Sequence, residues 1–150
     1  MFAKRPRVWM VTEMSKGFSL AIFTPQRQFY QGEVEAVTVT TVDGELTILK
    51  DHAAITLPLT VGNIKIKRDG KWKEAFQSEG FLEVAQGSAR VFVQTCEWPE
   101  DIDTARAQAA AMRAQERLLR QQNNIEYQWT KVALSRALAR LRVTKQQRNS

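Results

Sequence analysis

The residues Pro99-Glu100-Asp101-Ile102-Asp103-Thr104-Ala105-Arg106-Ala107, PEDIDTARA, mark the point where the pattern of the chain changes. A proline followed by acids and then alanines is how a helix begins, because proline tolerates the first turn and carboxylates complement its unpaired N–H groups. Asp101 or Asp103 is expected to cap that first turn. Upstream of this stretch, from Phe18 to about Gln94, the apolar residues recur every second position. Downstream they recur with a helical period. The chain therefore reads as a β unit followed by an α unit.

In the β unit, EAVTVTT places Val37 and Val39 on one face and Ala36, Thr38 and Thr40 on the other. NIKIK alternates Ile64 and Ile66 against Asn63, Lys65 and Lys67, and ARVFVQ is a further run rich in β-branched and aromatic residues. Turn signals separate the runs at Asp43-Gly44, Asp69-Gly70 and Gln86-Gly87. The Asp-Gly at 69–70, between NIKIKR and KWKEAFQ, predicts a β-hairpin. Short strands at regular spacing predict a sandwich or flattened barrel of about ten strands.

In the α unit, Ala107, Ala111, Ala114 and Leu118 form one helical stripe. QQNN at 121–124 interrupts it, and Asn124 is a candidate cap for a second helix whose Leu134, Leu138 and Leu141 are expected on one face. Two helices joined by a short polar loop predict an antiparallel helical hairpin. Its alanine face allows close approach but buries little area, so the hairpin should be weakly held. Arg106, Arg113, Arg117 and Arg120 share one face of the first helix, and Arg136 and Arg140 lie one turn apart on the second. Few acids are interleaved with them.

The chain has 150 residues and a net charge of +6. From Thr104 onward ten basic residues meet two acids, Glu116 and Glu126, so that segment carries +8 and the rest −2. The asymmetry predicts an acidic partner. No apolar run has the length of a membrane span, and the basic opening MFAKRPRVWMVTE lacks the apolar centre of a secretory signal. Met14, just ahead of the first strand-like run, is expected to be a natural start, with the residues before it a mobile extension. One cysteine, Cys96, excludes an internal disulfide and a cysteine-rich metal site. His52 is the only histidine, and neither a phosphate-binding glycine loop nor a nucleophile elbow is present. These features argue against a self-contained enzyme and give no metal site and no required cofactor.

Several segments, in order, resemble the epsilon subunit of the bacterial F-type ATP synthase. DGELTILKDHAAI is similar to the family's Gly-Glu-Leu-Gly-Ile-Leu-Pro-x-His-Ala-Pro segment, SEGFLEV to its Gly-Gly-Phe-x-x-Val strand, DIDTARAQAA to its Ile/Leu-Asp-x-x-Arg-Ala helix start, and ALARLRV to the end of its second helix. Lys50-Asp51, Ala54 and Glu79 depart from that pattern, Glu79 standing in place of a glycine.

The resemblance implies an N-terminal ten-stranded β-sandwich followed by a C-terminal antiparallel two-helix hairpin. The expected boundaries are an extension over 1–15, the sandwich over 16–98, the helical hairpin over 99–143 and a polar tail over 144–150. It implies a non-catalytic rotor subunit on the cytoplasmic face of the cell membrane. Its partners would be the gamma subunit, the polar loops of the c ring, and the alpha and beta catalytic subunits once the helices extend. Glu45 and His52 match the segment that meets the c ring. Arg136, Arg140 and Arg142 would make the inhibitory contact. Some bacterial members bind ATP in the folded-down hairpin. The matching positions here are Glu97, Ile102, Asp103, Arg106, Ala107, Arg113, Arg136 and Arg140, with ATP as a regulatory ligand. The competing reading is a basic nucleic-acid-binding β-barrel with a helical arm; against it, no strand shows basic and aromatic residues gathered on one face.

Overall fold

The computed structural model describes residues 17–120 and 124–148. The N-terminal extension, the start at Met14 and most of the QQNN break lie outside the described residues. Ten strands come first: β1 (Phe18–Phe23), β2 (Gln28–Val34), β3 (Ala36–Thr41), β4 (Gly44–Leu49), β5 (Ile55–Leu59), β6 (Gly62–Arg68), β7 (Lys71–Gln77), β8 (Gly80–Ala85), β9 (Ser88–Val93) and β10 (Cys96–Glu97). A 3-10 turn at Pro99–Asp101 leads into α1 (Thr104–Arg120) and α2 (Asn124–Arg148).

The strands form two five-stranded sheets, ordered β2-β1-β9-β8-β5 and β10-β7-β6-β3-β4. Pairing is antiparallel except for β1 with β9, which is parallel. The period-two residues do what their spacing predicts. Leu20 and Ile22 from the first sheet and Val37, Val39, Ile64 and Ile66 from the second are buried against one another between the sheets. The predicted Asp69-Gly70 turn is present, with positive φ at both residues (53° and 75°), so β6 and β7 are joined by a two-residue hairpin in register from Gly62–Gln77 to Arg68–Lys71. Gly80 is required for a different reason. A Cβ there would come within 1.9 Å of the Phe92 carbonyl oxygen on the neighbouring strand.

Two buried polar residues fasten the sheets' connections. Gln77 donates through Nε2 to the carbonyls of Thr40 (3.0 Å) and Thr60 (2.7 Å). Ser78 accepts the Thr95 N–H at Oγ (2.7 Å) and donates its own N–H to the Thr95 carbonyl (3.0 Å). Both side chains satisfy backbone groups where chains cross between sheets, which burial otherwise leaves costly.

The helices depart from the expected pattern in two ways. Leu134, Leu138 and Leu141 do not form the buried face of α2. Leu138 is 41% exposed, and the buried positions are Thr130, Ala137, Ala139, Val143 and Thr144. The reason is that α2 touches two surfaces. It meets α1 along its length, and its C-terminal half also crosses β6, β7 and the 3-10 turn. Small residues let it approach both, so its apolar residues are divided between two directions and no single stripe remains. Nor does the helix end at Val143. It runs to Arg148, because Lys145, Gln146, Gln147 and Arg148 are good helix formers and no breaker intervenes. Thr144 donates to the Leu141 carbonyl (2.9 Å), and Gln147 reaches Glu100 (3.2 Å).

Candidate functional site: the seat of the helical hairpin

Of the two caps the opening stretch allows, Asp101 and Asp103, the structure forms the one at Asp103. Its Oδ1 accepts the Arg106 N–H at 3.0 Å, and its carbonyl accepts the Ala107 N–H at 3.0 Å. The proline at 99 begins the short 3-10 turn one step earlier, and that turn delivers Ile102 into an apolar seat. Ile102 packs there with Phe76 of β7 and with Ala139 and Val143 of α2, against a partly buried Val61. The seat is narrow, and half of its contribution from α2 is an alanine methyl. It is also separate from the core between the sheets. On α1 only Ala107, Ala111 and Ala114 are buried.

Charge supplements this small apolar contact. Arg140 donates to Glu97 Oε1 from Nη2 (2.9 Å) and Nε (3.2 Å), and its guanidinium lies 4.5 Å from the centre of the Phe76 ring. One turn away, Arg136 pairs with Glu79. Both pairs are partly exposed, so each is worth about 0–1 kcal/mol. The two arginines on the sandwich side of α2 are thus compensated from outside their own helix, which the scarcity of acids in the helical segment could not show. Arg106, Arg113, Arg117 and Arg120 are exposed and make no ion pair among the described residues.

The candidate ligand residues are not all gathered. Glu97 and Arg140 are in contact, Ile102 lies in the seat beneath them, and Asp103, Arg106 and Ala107 are joined through the cap. Arg113 lines a different groove, of about 550 Å³, near the loop end of the helices with Arg117, Trp129 and Thr130. Thr130 is ten residues from Arg140, about 15 Å along a helix. A buried Nε of Arg136 has no acceptor among the described residues.

The remaining sequence candidates lie elsewhere. Glu45, at the start of β4, pairs with Lys65 at 3.2 Å and is half exposed. His52 follows the other end of that strand, where its Nδ1 meets the Ala53 carbonyl at 2.9 Å. Four residue steps along β4, about 13 Å, separate Glu45 from Leu49. Arg142 is exposed on α2. No three acid, histidine or cysteine side chains gather as a metal site among the described residues.

Basic and aromatic side chains do converge, though from several strands and the segments that flank them. Lys73 lies 3.8 Å from the Trp98 ring centre, Lys67 5.9 Å from Trp72, and Arg27 5.6 Å from Phe29. No single strand contains that cluster, so alternation along one strand could not reveal it.

The β-sandwich domain model of the ATP synthase delta/epsilon chain matches residues 17–99, and the long alpha-helix domain model of the same chain matches residues 100–145. The chain is 48% identical to an ATP synthase epsilon chain of Caldanaerobacter subterraneus subsp. tengcongensis, over 87% of this chain and 95% of that one. It is 41% identical to an ATP synthase epsilon chain of Ruminiclostridium cellulolyticum, over 87% of this chain and 98% of that one. In fold it is similar to a chain of the Euglena gracilis mitochondrial ATP synthase, with a TM-score of 0.75, 19% identity, and coverage of 90% of this chain and 82% of that one. A chain of the Tetrahymena thermophila mitochondrial ATP synthase central stalk and c ring gives a TM-score of 0.58 at 15% identity, covering 84% and 95%. With both halves matched in order, and with relatives of 48% and 41% identity that this chain covers almost in full, the chain belongs to the ATP synthase delta/epsilon chain family.

Proposed function

We propose that this chain is the epsilon subunit of an F-type ATP synthase, a peripheral central-stalk component on the cytoplasmic face of the membrane. Its sandwich joins gamma to the c ring, and its helices restrain ATP hydrolysis. The observation that carries the regulatory part is the weakness of the helical seat. One isoleucine, one valine, one alanine and Phe76, with two partly exposed ion pairs, hold α2 on a sandwich whose own core is elsewhere. Two packings of such an element need differ by only a few kcal/mol. When α2 detaches, Arg136 and Arg140 leave Glu79 and Glu97 and, with Arg142, become available to acidic surfaces on the alpha and beta subunits. Glu45 and His52 serve the contact with the c-ring loops.

ATP is the regulatory ligand of the docked form. The fit is mixed. Arg136 and Arg140 lie on successive turns, and the acceptor-free Nε of Arg136 suits a phosphate oxygen. Asp103 and Arg106 are exposed at the start of α1 and Glu97 already holds Arg140, while Ile102 and Ala107 are buried, so an adenine would have to displace part of their packing. Arg113 would have to approach from its own groove. A ligand that binds only the docked form stabilises it by mass action and so opposes inhibition.

Affinity capture from the native membranes should bring down gamma, c, alpha and beta subunits. Recovery of RNA in their place would support the nucleic-acid reading. Calorimetric titration should give ATP binding that is lost in Arg140→Ala. Asp103→Ala should cost about 1 kcal/mol of helix stability without ATP and more with it. An equal loss in both conditions reduces Asp103 to a cap.

A further inference from the structure

The two ion pairs under α2 have a feature that neither helix could supply. Glu79 and Glu97 sit at or just beyond two of the five places where the chain crosses between the sheets. Glu79 lies between β7 of one sheet and β8 of the other, and Glu97 follows the crossing from β9 to β10. These crossings are bonded to each other: Ser78 N–H to Thr95 carbonyl (3.0 Å), Thr95 N–H to Ser78 Oγ (2.7 Å) and Gln94 N–H to Glu79 carbonyl (3.3 Å). Both carboxylates are therefore presented from one braced surface. Arg136 and Arg140, four residues apart on α2, present guanidiniums on the same helical face. Glu79 stands where the pattern this chain resembles has glycine, which has no carboxylate to offer.

We propose that Glu79 is a built-in counter-ion for Arg136, a latch that keeps the helical hairpin docked without any bound ligand. The inference rests on docking being one state of the proposed switch, and it assigns that state an electrostatic control within the chain. With Glu97 alone, α2 would be held electrostatically at one turn. With Glu79 it is held at two successive turns, which fixes its rotation and its register along the sandwich. The Phe76–Ile102–Val143 seat is narrow, and beyond it the end of α2 reaches the sandwich side through an exposed hydrogen bond from Gln147 to Glu100. Because the pair is partly exposed, salt should release it.

Hydrogen exchange of the full-length protein tests this. In Glu79→Gln, the amides of residues 124–148 should exchange about two- to five-fold faster than wild type at low ionic strength. At about 0.5 M salt the difference should disappear as the wild type accelerates to match the variant. The exchanged pair Glu79→Arg with Arg136→Glu should restore slow exchange at low salt. Glu83→Gln, which breaks the Arg90 pair away from the helices, should leave α2 unchanged. Wild-type exchange in Glu79→Gln, a difference that persists undiminished in salt, or failure of the exchanged pair to slow α2 overturns the latch. None of these readouts requires ATP. Absence of ATP binding in every variant would remove the nucleotide part of the proposed function and leave the latch standing.

Discussion

Cys96 shows how a single position records its surroundings. It is the one cysteine, it is buried in the sandwich core, and burial together with the adjacent Glu97 charge pushes its thiol up from 9.0 to about 12. The folded state therefore prefers the protonated thiol more strongly than the unfolded chain does. The associated stability is fully present below about pH 9 and is lost as pH rises toward 12, at about 1.4 kcal/mol per pH unit. Equilibrium unfolding between pH 8 and about 11 should show this decline in the wild type and a flatter profile in Cys96→Ala, against whatever the other groups contribute. Alkylation at pH 8 should be slow until the protein unfolds, because the thiolate is the nucleophile. A rapidly alkylated native Cys96 would contradict the burial.

At the scale of the element, α2 has to satisfy two neighbours, and its residues divide accordingly. Val143 is buried in the seat while Leu138, though larger, is 41% exposed. Val143→Ala should destabilise docking by about 1.5–3 kcal/mol, combining lost transfer energy with a residual cavity. Leu138→Ala should change it by less than about 0.5 kcal/mol. Exchange of α2 amides and thermal unfolding followed in the helical signal distinguish the two. Equal effects would mean that α2 docks on its leucine stripe after all. The helical segment alone suggests the opposite ranking of these two residues, since leucines at helical spacing are the conventional mark of a buried face.

For the whole molecule, the two apolar clusters share no residue. The main one uses side chains from Phe18 to Cys96, with Trp98 packed on its edge, and includes nothing from the helices. A chain ended after Trp98 should therefore fold cooperatively as a sandwich, with near-native strand content by circular dichroism. Within the assembled synthase it should still permit coupled synthesis while ATP hydrolysis rises. Unchanged hydrolysis across nucleotide and membrane-energisation conditions would show that the helices do not inhibit in this synthase. Reversing Arg136, Arg140 and Arg142 to Glu should weaken inhibition more than reversing Lys65, whose partner Glu45 lies on the sandwich.

The amino-acid sequence by itself determined the order of β and α units, the turn at Asp69-Gly70, a cap at Asp101 or Asp103 and the alanine face of α1. Each depends on periodicity or on a local backbone requirement, and both are written in neighbouring residues. Only the tertiary structure decided that Gln77 and Ser78 are polar braces, that Lys73 reaches Trp98, and that Glu79 and Glu97 stand beneath Arg136 and Arg140. Those partners are separated by 43 residues for Glu97–Arg140 and come from elements with different periods. Their meeting depends on how a helix crosses a sheet edge, and side-chain length, crossover geometry and burial set that together. No local pattern along the chain encodes it.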